Sequence, residues 1–214
     1  MNLPFTREQF FEVFARYNEG VMPLQLGLFL LGLTALGAMV LRRRGADRVV
    51  SAILAGLWAW MALAYHFVYF APVNPAAPLF GIMFLGGAAL FAWAGVVRGR
   101  LAVNGENRAR RITGHVLVVY ALVVYPLLSA LLGREYPGLP TFGLPCPTTI
   151  FTVGMLAYLA TPFPRAVLVV PIAWAVIGGE AALLLGVYED IGLIVAGLAG
   201  AWLGFDFSPQ EKTA

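Results

Sequence analysis

The sequence predicts an all-α fold, a polytopic transmembrane helix bundle of about seven spans. Three observations carry that prediction. Sixty per cent of the 214 residues are apolar and only 12% are charged, against roughly 25% charged in an ordinary soluble domain. Mean hydropathy is +0.82, more apolar side chain than a soluble domain of this size can hide. The apolar residues also fall in uncharged runs of membrane length, and the short segments between them hold most of the arginines. The same composition excludes disorder. Cys146 is the only cysteine, which excludes a disulfide scaffold.

The elements follow in chain order. Residues 1–19 read as an amphipathic interfacial helix. Thr6 and Gln9 match a capping box, and Phe10, Val13, Phe14 and Tyr17 recur at helical spacing. The opposite face carries Arg7, Glu8, Glu12, Arg16 and Glu19. It is not a basic lipid anchor, so packing over the outer end of the bundle is expected. Residues 20–206 form the transmembrane domain and 207–214 a cytoplasmic tail.

Gly20–Leu41 is the first span. Val49–Val97 is too long for one helix and is broken by Pro72, Pro75 and Pro78 into two. Ile112–Gly133 is the fourth. Tyr136–Pro147 is rich in proline and glycine and reads as loop. Thr148–Thr161 and Ile191–Phe205 are short, so one of them is expected to be re-entrant or embedded in protein. Ala166–Tyr188 is a full span interrupted by Glu180.

Orientation follows from the basic residues. With the first inter-span loop inside, the inner side holds Arg42, Arg43, Arg44, Arg48, Arg98, Arg100, Arg108, Arg110, Arg111, Arg165 and Lys212. The outer side holds Arg7, Arg16 and Arg134. Eleven against three of the 14 basic residues predicts N-out and C-in. The short loops, arginine-rich inner face and missing signal-peptide pattern suit a bacterial inner (plasma) membrane. The arginine runs flank spans without interleaved aromatics, so no nucleic-acid partner is expected.

Leu3-Pro4-Phe5-Thr6-x-Glu8-Gln9-Phe10-Phe11-x-Val13-Phe14-x-x-Tyr17-Asn18 resembles the opening signature of a bacterial multi-pass membrane family of unknown function, domain of unknown function family 6064. The resemblance continues at His66-Phe67-x-x-Phe70 with Asn74-Pro75-Ala76-Ala77. It continues again at Pro140-Thr141-Phe142-Gly143-x-Pro145-Cys146-Pro147-Thr148-Thr149. It spans nearly the whole chain and implies a membrane protein, with no activity attached.

Polar groups within spans are costly and are expected to face the bundle or a wet cavity. Gln25, His66, Ser129, Cys146 and Glu180 all fall in the outer halves of different helices, which predicts an outward-facing pocket for a small solute or ion. Glu180, about 12 Å inside the sixth helix, is its candidate charge partner or proton carrier. Cys146 reads as a helix N-cap whose thiol the dipole would acidify. With His66 it makes a candidate soft-metal pair, although their spacing does not signal a metal site. Binding or transport is the preferred function. The alternatives are a membrane enzyme using Cys146 as nucleophile, His66 as base and Glu180 as orienter, and a structural subunit of a complex.

Several chemistries are excluded. No span holds a lysine for a Schiff base. Two histidines at opposite faces cannot ligate one haem or build a three-histidine zinc site. No CxxC and no hydrolase, metalloprotease or P-loop motif occurs. Gly192, Ala196, Gly200 and Gly204 form a small-residue stripe, read first as packing inside the bundle and second as a homo-oligomer contact.

Overall fold

The computed structural model describes residues 4–41, 44–103 and 107–205. The expectations placed on Leu3, Arg42, Arg43, Asp206, Lys212 and the 207–214 tail lie outside these residues. Among the described residues the chain is helical, with two isolated β-bridges and no strand.

Helix α1 (Arg7–Val21) starts at an N-cap Thr6 with the capping box complete. Thr6 Oγ1 accepts from the Gln9 amide at 3.2 Å, and Gln9 Oε1 accepts from the Thr6 amide at 2.8 Å. Its buried face is Phe10, Val13, Phe14, Tyr17, Asn18 and Val21. This face lies on Tyr65, Phe70, Leu144 and Ala182, so α1 caps one end of the bundle.

Among the described residues six helices are long and apolar enough to cross a membrane. The first is α2 (Leu24–Leu41). The second is α3 (Ala46–Trp60), which continues as a π-helix, Met61–Phe70. The third is α4 (Ala77–Phe91) with a π-helical end, Ala92–Val97. The fourth joins α5 (Arg108–Val119), a π-segment Tyr120–Val124 and α6 (Tyr125–Leu131). Pro126 removes a backbone donor there, and the wider π-turn just before it takes up the missing bond. Their outward faces are apolar, as at Leu30 (60% exposed), Ile82 (62%) and Leu198 (68%), a belt suited to hydrocarbon and not to water.

The predicted fifth helix differs. Helix α7 (Pro145–Leu156) has 12 residues, about 18 Å, and is not among the six. All of it is buried except Cys146, which is half-buried. It is enclosed by α5, α8 and α9. Glycine permits the closeness: a Cβ at Gly154 would stand 2.9 Å from Val118 Cγ2 and 3.1 Å from the Val118 backbone nitrogen. Trp58 Nε1 donates to Thr152 Oγ1 at 3.0 Å. Beyond α7, the Ala160 amide donates to the Ala102 carbonyl at 2.7 Å, and Arg110 Nε donates to the Ala157 carbonyl at 3.4 Å. The segment therefore runs from the α1-capped end to the opposite end, inside a sleeve of longer helices.

The last two membrane-length helices are α8 (Val169–Leu185), entered through a 3₁₀ turn Arg165–Leu168, and α9 (Ile191–Phe205), entered through a 3₁₀ turn Tyr188–Asp190. Gly186, with φ of 68°, ends α8 in a left-handed cap. The α9 stripe packs within the chain. Gly192 meets the Tyr120 ring, Gly200 meets Ile172 and Val153, and Ala196 is fully buried.

Candidate functional site

The α8–α9 turn carries a buried polar cluster at the α1-capped end. Glu189 is fully buried and Asp190 is 3% exposed. In the sequence this acidic pair only closes an apolar run, and in the structure it is buried. Arg134, just after α6, forms an ion pair with Glu189. The same guanidinium donates to the Gly186 carbonyl at 3.3 Å and to Ser129 Oγ at 3.5 Å, and lies 4.4 Å from the centre of the Phe11 ring. The Tyr120 hydroxyl donates to the Glu189 carbonyl at 2.7 Å. The Tyr125 hydroxyl donates to Asp190 Oδ1 at 2.6 Å.

Asp190 and Tyr125 line a cavity of about 320 Å³ between α1, the α3–α4 turn, the start of α7 and the last turns of α8. Most of its wall is apolar, from Phe5, Phe10, Phe14, Phe70, Phe80 and Trp174. Tyr65, Tyr125, Cys146 and Asp190 are polar points on that wall, and Glu180 lies at its edge. It reaches the surface where Pro4, Ala76 and Glu180 are exposed. This is the lower end of the usual size for a ligand pocket, with the usual mixture of an apolar wall and few polar groups.

The five predicted pocket residues divide. Cys146 and Glu180 line this cavity. Glu180 lies five residues before the end of α8, about 7.5 Å deep, nearer the helix end than expected because Gly186 stops the helix early. Gln25 lines a separate groove with Phe29, Tyr136 and Phe142. There its amide ties α2 to Asn18 at 2.8 Å and to Thr141. Ser129 is buried beneath Arg134 and does not line the cavity. His66 sits in an aromatic box, 4.5 Å from Phe84 and 5.2 Å from Trp174 between ring centres. Neither ring nitrogen has a hydrogen-bond partner among the described residues.

Cys146 needs one correction. The N-cap of α7 is Leu144, and Cys146 is the second helical residue, between Pro145 and Pro147. A Cys146–His66–Glu180 relay is not assembled, because His66 bonds to neither partner. Among the described residues no three His, Cys, Asp or Glu side chains are grouped for a metal ion.

The profile of a family of unknown function, DUF6064, matches residues 7–211. This chain belongs to that family. No curated protein and no solved structure matches it. The matched region takes in α1, the six membrane-length helices found among the described residues and the buried acidic turn, and with them all of the cavity's lining except Pro4 and Phe5.

Proposed function

We propose that this DUF6064 member is a multi-pass plasma-membrane protein that binds a small solute in the cavity beneath α1, on the outer side of the membrane. The observation that carries the reading is the cavity itself, a surface-reaching apolar chamber with a buried carboxyl, a buried phenol and a half-buried thiol on its wall. Empty apolar volume is filled readily by packing, and buried polar groups are costly unless used or partnered. A chamber that keeps both is suited to a ligand. Seven crossings, N-out and C-in, complete the proposal. They rest on the 11-to-3 distribution of basic residues and on the 148–161 segment acting as a short crossing shielded by its neighbours.

The single cysteine makes the test direct. In intact cells a membrane-impermeant thiol reagent should label Cys146 from outside. Labelling only in inverted vesicles would reverse the orientation. Labelling only after unfolding would make Cys146 a sealed packing residue and sink the solute site.

A further inference from the structure

The charges and rings around the cavity define what it takes. Two buried carboxylates, Glu189 and Asp190, stand near one partly exposed guanidinium, Arg134, and that cation is paired with Glu189. Asp190 has no cation of its own: it receives the Tyr125 hydroxyl and the Cys146 thiol, and it is the member of the pair that lines the cavity. Arg7 lies against Gly186 with its guanidinium over Phe11, on the exposed side of α1. No Lys, Arg or His lines the cavity, while a second carboxylate, Glu180, stands at its mouth. The cluster therefore holds one more carboxyl group than cation beside an apolar chamber, and a bound cation would supply the missing counter-charge for its ionised form. The facing rings add to this preference, because aromatic faces attract cations. Trp174 supplies an independent sign of a ligand: it is 5% exposed and lines the cavity, and its indole Nε1 has no oxygen or nitrogen acceptor among the described residues, only the Cys146 sulfur beside it.

We infer that the solute is a small organic cation, an ammonium group on an apolar body carrying a hydrogen-bond acceptor. The inference rests on the solute-binding reading above. The ammonium sits against Asp190, the body lies among Phe10, Phe14, Phe70 and Phe80, and the acceptor takes the Trp174 N–H. A neutral solute of the same shape leaves Asp190 without a counter-charge. An anion meets both carboxylates and is rejected.

The test uses the purified full chain and a matched pair of probes, 3-phenylpropyltrimethylammonium and its neutral carbon isostere, 4,4-dimethylpentylbenzene. Two readouts are followed, the melting temperature and the rate at which a maleimide labels Cys146 at about pH 8.5. The cation should raise the melting temperature and slow labelling by ~10-fold more than the isostere does, a preference of about 1.4 kcal/mol. Asp190→Asn keeps an acceptor for Tyr125 and should abolish the difference. Glu180→Gln, at an exposed position, should weaken cation protection severalfold and leave the isostere unaffected, which serves if the first variant does not fold. Equal protection by both probes would overturn the cation assignment and leave a solute cavity standing. No protection and no stabilisation by either, or a Cys146 inert without any probe, would overturn both.

Discussion

The Tyr17 hydroxyl donates to the Gly143 carbonyl at 3.2 Å and accepts from Trp60 Nε1 at 2.7 Å. Its side chain is wholly buried, and burial pushes its titration well up. One atom thus joins α1, α3 and the loop before α7. Tyr17→Phe should lower stability by about 1–3 kcal/mol, since it leaves a buried donor and a buried acceptor unmet, and a melting curve in detergent would read it. A variant as stable as the parent would mean that water replaces the hydroxyl. Cys146 and Glu180 were legible as candidates because polar groups in apolar runs stand out. Asp190 was not, because an acidic pair between two apolar runs reads as a solvated turn. Its burial depends on distant partners: Arg134 pairs with Glu189 from 55 residues away, and Tyr125 bonds Asp190 from 65 residues away.

At the scale of elements, the capping box of α1, its buried face and the proline break between α3 and α4 were readable from residue type and period. The π-segments were not, Pro126 being a local cue for one of them alone. Ten π-helical residues over Met61–Phe70 have no counterpart in hydropathy, since they arise where Tyr65, His66 and Phe70 must all turn inward. The fifth helix was marked as short. That its whole length would be enclosed depends on long-range contacts with α5, α8 and α9. Glycine position tests this enclosure. Gly154→Ala should cost about 1–3 kcal/mol by overpacking α7 against the α5 backbone, whereas Gly27→Ala meets nothing within 4 Å and should be neutral or mildly stabilising. Equal melting temperatures for the two variants would show that α7 and α5 are not closely apposed. Gly200→Leu belongs with the first variant, since a Cβ there already stands 3.1 Å from Ile172. A loss of stability without a change in particle size would assign the α9 stripe to internal packing.

At the scale of the molecule, the two ends of the bundle differ in charge. Arg7, Arg16 and Arg134 lie at the α1-capped end, and Arg44, Arg48, Arg98, Arg100, Arg108, Arg110, Arg111 and Arg165 at the other. Short basic loops are retained on the cytoplasmic side, so the α1-capped end, with the cavity mouth, should face outward. Reporter fusions after Arg44, Arg111 and Arg165 should report cytoplasm, and one at Gly138 the outside. The fusion after Arg165 decides the most, because it lies past the 12-residue α7. The Ala160–Ala102 hydrogen bond ties the end of this segment to the loop after the third membrane-length helix, on the Arg98–Arg111 side. A short helix can reach that side only if its neighbours exclude lipid along its length, which the burial of α7 provides. A cytoplasmic signal at Arg111 together with an external one at Arg165 would separate two segments that the fold hydrogen-bonds together, and would overturn the crossing. Cytoplasmic signals at all three sites would leave α8 and α9 to run out and back, with the acidic turn and its cavity on the side from which solute arrives.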